Sequence, residues 1–145
     1  MQLRTSNIIM IVGGAIALVS LILVWAKNPF GNLTLWGLRD YLDTLEPDAM
    51  NFLAGVSVFF ILVFGVANVF EGFYYATKPE LEKKYKAWMM IVNGVFPLAA
   101  CILIMVEIGN LSAYDLGLGC SVGVVGSAVC IVSGFVRAKE FSSFN

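Results

Sequence analysis

The sequence predicts an all-α integral membrane protein: one domain in which four transmembrane helices form a bundle of two tandem two-helix hairpins. Three observations support this: four long apolar blocks, an uneven distribution of Lys and Arg, and an internal repeat. Of the 145 residues, 59% are hydrophobic and 13% charged, and the net charge is −1. Soluble domains are roughly 45–50% apolar and about 25% charged. The composition excludes a disordered chain, a disulfide scaffold and a soluble nucleic-acid-binding domain.

The four apolar blocks define the predicted spans, at about residues 8–26, 50–75, 88–108 and 116–136. About 20 apolar residues cross roughly 30 Å of hydrocarbon. The first block ends in Leu-Val-Trp-Ala-Lys rather than in a small-residue cleavage site, so we expect a retained span and not a signal peptide. The sequence Thr77-Lys78-Pro79-Glu80 fits a capping box and predicts the start of the third helix.

The basic residues predict the orientation. Seven of the nine Lys and Arg residues lie in the N-terminal segment, the loop between the second and third spans, and the C-terminal segment. The two other loops contain only Lys27 and Arg39. Because cytoplasmic loops carry the excess of Lys and Arg, we expect a multi-pass cell-membrane protein with both termini cytoplasmic.

An internal repeat relates the two halves of the chain. Three matches occur in the same order: residues 10–14 with 90–94 (offset 80), 31–38 with 109–116 (offset 78), and 72–73 with 134–135 (offset 62). The smaller last offset places an insertion between Leu38 and the second span. Hairpins with an even number of spans keep one orientation, so the copies predict a pseudo-twofold axis along the membrane normal.

Small residues recur every three or four positions and predict close helix packing, since small side chains let membrane helices approach. The predicted packing positions are Gly13, Ala17, Gly65, Gly119, Gly123, Gly126 and Gly134. They serve either the packing of the bundle itself or, on the fourth span, a dimerisation face. Pro97 lacks an amide hydrogen and predicts a kink near Asn93.

The inserted outer loop predicts a short amphipathic helix at about residues 33–45, because leucines recur there at spacings of three and four. It either covers its own bundle or docks a neighbouring protein, through an interface of Trp36, Leu38, Tyr41, Leu42 and Tyr114. The segment Leu35-Trp36-Gly37-Leu38 resembles the outer-loop tryptophan and Gly-Leu of claudin-like proteins. The two loop cysteines of that family are missing, so no function is carried over.

Two outer-loop segments match the N-glycosylation pattern: Asn32-Leu-Thr34 and Asn110-Leu-Ser112. The alternative is structural, with Gly-Asn forming a turn and Thr34 or Ser112 capping a helix.

Polar residues near the inner face predict an intramembrane cluster of Asn68, Glu71 and Asn93. It either joins helices by hydrogen bonds or binds a cation or proton at Glu71. The repeat places Ser133 at the position of Glu71, which disfavours a symmetric ion pathway. Glu107 is expected at the outer rim, in reach of water.

The sequence lacks the groups of the common enzyme classes. It has no histidine, and its three cysteines have neither C-x-x-C nor metal-site spacing. We therefore expect no enzymatic activity, no cofactor, no metal and no nucleic-acid partner. The favoured function is a structural or accessory subunit of a membrane assembly, acting through contacts with lipids and with other subunits or a second copy. The alternative is a small transporter or channel subunit that functions as an oligomer.

Overall fold

The structure, a computed structural model, describes residues 4–44, 49–81 and 86–142. The elements in chain order are α1 Thr5–Ser20, β1 Val24–Asn28, β2 Gly31–Thr34, α2 Leu35–Thr44, α3 Ala49–Thr77, a 3₁₀ turn Pro79–Leu81, α4 Lys86–Asn110, β3 Asp115–Leu116 and α5 Leu118–Ser142. The helical class predicted from the sequence is confirmed. A small sheet was not predicted.

Three of the described helices are long and apolar enough to cross a membrane: Phe52–Thr77, Ala87–Asn110 and Leu118–Ser142. The first helix is shorter, with the 16 residues Thr5–Ser20. It begins three residues before the predicted first span and ends six residues before the predicted end.

The helices α1, α3, α4 and α5 form a closed ring in which each packs against two others. In α1 and α3, Asn7 lies against Gly72 whereas Leu18 lies against Gly65, so the two helices run antiparallel. The same reversal holds for α1 with α5, where Ser6 bonds Glu140 and Gly13 meets Cys130. The bundle therefore alternates in direction from helix to helix.

Close glycine contacts recur at the repeat offsets. A Cβ on Gly14 of α1 would lie 2.9 Å from the carbonyl oxygen of Gly65, and one on Gly94 of α4 would lie 3.0 Å from that of Ser127. Gly72 packs against Ile11 and the Asn7 carbonyl; Gly134 packs against Ile91 and the Ala87 carbonyl. In both pairs the offset is 80 on one helix and 62 on the other.

The outer-loop match does not extend to local structure. Residues Gly31–Thr34 form β2, whereas Gly109 and Asn110 are the last residues of α4. The sheet has the order β2-β1-β3, and β1 is antiparallel to both neighbours. It joins the first outer loop to the second, through Ala26 paired with Leu116.

The first helix ends early because its last carbonyls find partners outside it. Leu21, Ile22 and Leu23 donate to carbonyls three residues back, which tightens the chain into a turn. The indole N–H of Trp25 then donates to the carbonyl of Ser20 at 2.6 Å. The chain continues as β1 instead of as the predicted helix.

Of the two structural roles predicted for the first outer loop, the turn at Asn32 is corrected and the cap at Thr34 is not. The turn between β1 and β2 is made by Asn28, whose side-chain oxygen accepts from the amides of Phe30 and Gly31, and not by Asn32. Thr34 does lie at the start of α2, where its hydroxyl accepts from the Gly37 amide at 3.4 Å.

The capping-box prediction at Thr77 is wrong. Helix α3 extends through Thr77, whose hydroxyl donates back to the carbonyl of Tyr74 at 2.9 Å. A threonine that bonds within its own helix does not cap the next one. Helix α4 begins at Lys86.

Substituting Gly126 by alanine tests the closest contact between α1 and α5. A Cβ there would lie 2.5 Å from the backbone nitrogen of Ala17, which cannot move without shifting the helix. We expect Gly126→Ala to destabilise the bundle by about 1–3 kcal/mol. Thermal unfolding in mild detergent, followed by reaction of the buried thiols with a maleimide dye, measures the change.

The matched control is Gly109→Ala, because nothing lies within 4 Å of a Cβ at that position. Its unfolding midpoint should equal or exceed that of the wild type, since alanine favours a helix over glycine. Equal midpoints for the two variants would contradict the packing of α1 on α5.

Candidate functional site

The helix α2 covers the outer end of its own bundle. Leu35, Leu38 and Leu42 are buried in a core with residues of α3 and α4. On its other side, the partly exposed Trp36 packs edge-on against Phe59 with ring centres 6.0 Å apart. Tyr41 contacts Tyr114 of the second outer loop at 5.6 Å. The sequence left two roles open for this helix, covering its own bundle or docking a neighbouring protein, and this packing corresponds to the first. Leu45, the predicted end of this helix, lies outside the described residues.

Trp25 fills the interior beneath this cover. It is fully buried, and its indole lies against Gly119 and Gly123 of α5, where any side chain would collide with the ring. Its carbonyl accepts the amide of Gly117 at 2.7 Å and the thiol of Cys120 at 3.3 Å. Gly119 and Gly123, which were predicted to pack against another helix, thus make room for an aromatic side chain.

The other predicted packing positions join helices within the bundle. Gly126 meets Gly13 and Ala17 of α1, Gly65 meets Leu18, and Gly134 meets Ala87 and Ile91 of α4. All lie between helices of one chain, as the intramolecular interpretation expects.

The polar residues Asn68, Glu71 and Asn93 lie together between α3 and α4. The Asn68 amide group donates to the backbone carbonyl of Asn93 at 3.4 Å, and the Asn93 side-chain amide donates to the Glu71 carboxylate at 3.4 Å. Proline explains the first bond: Pro97 has no N–H, so the Asn93 carbonyl four residues earlier lacks its helical donor. Asn68 supplies that donor from the neighbouring helix.

Asn68 also reaches α5, on the far side of the bundle. It is fully buried, and its amide nitrogen lies 3.2 Å from the sulfur of Cys130. The two residues are 62 positions apart, which is one of the offsets of the predicted repeat.

A second polar cluster, which was not predicted from the sequence, lies at the end of the bundle opposite α2. Its centre is Arg137 of α5, fully buried although it is a long cationic side chain. The guanidinium donates to the side-chain oxygen of Asn7 and, at 3.3 Å, to the Ser6 hydroxyl. It lies 5.4 Å from the ring centre of Tyr75 of α3. Hydrogen bonds and the face of an aromatic ring stabilise a cation away from water.

The cluster continues to the ends of α1 and α5. The Ser6 hydroxyl donates to the Glu140 carboxylate at 2.6 Å, and the Ser6 amide donates to its other oxygen at 3.2 Å. A carboxylate at a helix N-terminus stabilises the positive end of the helix dipole. Beside it, the Arg4 guanidinium lies 4.8 Å from the ring centre of Phe141.

Helical phase is the sequence signal that points to Arg137. The buried face of α5 includes Gly126, Cys130 and Ser133, and Arg137 continues their spacing. The count of Lys and Arg that predicted the orientation included Arg137 as a charge in the C-terminal segment. Its position on the buried face of α5 instead places its side chain inside the bundle.

Three further predicted positions differ in exposure. Glu107, expected at a water-accessible rim, is only 5% exposed. It lies on the inward face of α4, one turn before its end, where α2 and the sheet cover the core. Asn32 and Asn110 of the two glycosylation patterns are both exposed.

Both clusters consist of hydrogen bonds between side chains and backbone groups of neighbouring helices. Among the described residues, no three His, Cys, Asp or Glu side chains are grouped so as to hold a metal ion. The three cysteines are buried and reduced, so the interior holds thiols as small side chains.

Comparisons of the chain with protein-family models, with curated proteins and with solved structures give no match.

Removing the buried arginine tests the second cluster. Arg137→Ala leaves Asn7, Ser6 and Tyr75 without the cation that they surround, and we expect a loss of about 2–3 kcal/mol of stability. Arg137→Lys should rescue only part of this loss, because an ammonium group cannot replace the guanidinium fork. The thiol-reaction unfolding assay measures both variants.

Lys139→Ala is the matched control, since Lys139 is an exposed cation two residues away on the same helix. It should keep the wild-type unfolding midpoint. A midpoint lowered as much by Lys139→Ala as by Arg137→Ala would assign the effect to net charge and refute the buried network.

The end of α1 is tested by Trp25→Phe. The substitution keeps an aromatic ring but removes one of the two donors to the Ser20 carbonyl, the other being the amide of Leu23. We expect a loss of about 0.5–1.5 kcal/mol of stability, the net contribution of one hydrogen bond. Trp88→Phe serves as control because Trp88 is 68% exposed. An unchanged midpoint for Trp25→Phe would show that the bond does not stabilise the turn.

Proposed function

We propose that α1, α3, α4 and α5 all span the cell membrane, with both chain termini in the cytoplasm. The length of α1 supports its inclusion: 16 helical residues extend about 24 Å, and the tight turn Leu21–Leu23 brings the path from Thr5 to Leu23 to about 30 Å. Ile22 in that turn is 74% exposed, as suits a lipid-facing side chain.

We further propose that the two hairpins, α1 with α3 and α4 with α5, are copies of one unit. The support is the shared register of the contacts of Gly14 and Gly94, and of Gly72 and Gly134. Such copies are related by an axis along the membrane normal. They differ from the inverted repeats that many carriers use for alternating access.

For the function we propose a non-enzymatic structural or accessory subunit of a membrane assembly. The observation that carries the proposal is the filling of the outer half of the bundle by Trp25, the leucines of α2 and the apolar residues of α3 and α4. A water path along the axis of one chain would have to displace this core. Its partners are membrane lipids and either other subunits or a second copy of the chain.

The polar cluster of Asn68, Glu71 and Asn93 favours a second candidate, a transporter or channel subunit. Because the core above the cluster is filled, the conducting path would have to form between chains of an oligomer. In that case the partly buried Glu71 would face the path, and neutralising it would abolish the flux.

Cysteine labelling tests the orientation. Ser112 and Lys78 are both exposed, at opposite ends of the bundle, and the three native cysteines are buried. We expect a membrane-impermeant maleimide to label Ser112→Cys on intact cells, and Lys78→Cys only after permeabilisation. Labelling of both variants on intact cells would refute the four-span topology.

Co-purification separates the two functions. Extraction in mild detergent should yield the full chain with a stoichiometric unrelated membrane protein, and Glu71→Gln should leave this complex intact. A homogeneous homo-oligomer whose flux in liposomes is lost with Glu71→Gln, and kept with Glu107→Gln, would replace the accessory role with the transport role.

A further inference from the structure

An apolar groove runs along the outer face of α3. It has a volume of about 220 Å³ and is lined by Val56, Phe59, Phe60, Val63 and Phe64. These residues recur at spacings of three and four over two turns of the helix, or about 12 Å. Every lining side chain is hydrocarbon, which suits a lipid chain.

Stacked rings form one wall of this groove. Phe64 and Phe96 lie face to face at 5.3 Å with an angle of 4° between their planes, and Phe60 stacks on both at 6.1–6.3 Å. The stack joins α3 to α4, so the wall is held by two helices. Aromatic side chains have few rotatable bonds, so such a surface is largely preformed.

A cation lies at the outer end of the groove. The guanidinium carbon of Arg39 on α2 is 5.3 Å from the ring centre of Phe59, a groove residue. Its contact with Asp40 is long, at 3.5 Å, and exposed, with 36% and 75% of the two side chains accessible. The planar guanidinium matches the oxygens of a phosphate group.

The second hairpin lacks this combination. With the offset of 62, the groove positions correspond to Leu118, Ser121, Val122, Val125 and Gly126 of α5, which include no aromatic residue. The insertion that contains α2 and Arg39 also occurs only in the first hairpin. Groove and cation are therefore found together in one copy and missing together from the other.

We propose that this groove binds one acyl chain of a phospholipid whose phosphate pairs with Arg39. The apolar side chains hold the chain along α3, and the guanidinium fixes the headgroup beneath α2. The proposal rests on the proposed placement of α3 in the membrane and of α2 at its surface. It does not depend on the accessory-subunit role.

Native mass spectrometry of the full chain in detergent tests the proposal. Dioleoylphosphatidylglycerol should bind as a single molecule, and dioleoylglycerol, which has the same chains without the phosphate, should bind roughly tenfold more weakly. Arg39→Gln should lose a similar factor for the phospholipid. Lys27→Gln, which neutralises the other cation of the outer loops, should keep wild-type binding.

Two valine variants test the groove itself. Val63 and Val125 occupy equivalent positions under the offset of 62 and are similarly exposed, at 59% and 52%. Val63→Phe should fill the groove and reduce phosphatidylglycerol binding at least tenfold, whereas Val125→Phe should leave it unchanged. Because both side chains are exposed, both variants should keep the wild-type unfolding midpoint.

The outcomes separate this proposal from the proposed function. The chain could purify with a partner protein while the two variants of each pair bind phosphatidylglycerol equally, the pairs being Arg39→Gln with Lys27→Gln and Val63→Phe with Val125→Phe. That result would support the accessory role and refute the lipid site. Lipid binding that differs within both pairs supports the site even where no partner protein co-purifies. Equal binding of phosphatidylglycerol and dioleoylglycerol also refutes it, because the phosphate then contributes nothing.

Discussion

Backbone-to-backbone contact at small residues is the constraint on which the rest of the structure depends. A Cβ on Gly126 would meet the nitrogen of Ala17 at 2.5 Å, and one on Gly13 would meet that of Cys130 at 2.8 Å. Membrane helices gain little from burying apolar surface against one another, so close approach supplies much of their association. Small residues also make room for Trp25, whose indole lies against Gly119 and Gly123 and donates to the Ser20 carbonyl at the end of α1. The outer sheet and α2 are built on that end.

Close packing in turn requires that buried polar groups find partners inside the bundle, because water cannot reach them. Asn68 gives the carbonyl released by Pro97 a donor, and Asn7 and Ser6 surround Arg137. Each cluster also includes one contact between α3 and α5 across the bundle: Asn68 with Cys130 in one, and Tyr75 with Arg137 in the other.

Local periodicity explains how much the sequence could predict. The apolar blocks and the glycine spacing act within one helix, so they predicted the long helices, and the cluster of Asn68, Glu71 and Asn93 followed from matching depths. The sheet could not be predicted that way, because Ala26 pairs with Leu116, 90 residues later. Arg137 was counted as a solvated charge, although its phase with Cys130 and Ser133 placed it inside. The segments that begin at Gly31 and Gly109 match in sequence but differ in local structure, because a strand and a helix end can share short polar sequences.

The two sides of the bundle differ in the side chains that they present. The aromatic stack of Phe60, Phe64 and Phe96, the inserted helix α2 and its Arg39 all belong to the interface formed by α3. On the side where α1 meets α5, the residues instead form close backbone contacts and the Arg137 network. The close packing and the buried arginine therefore lie on the α1–α5 side, whereas the aromatic stack and Arg39 lie on the α3 side.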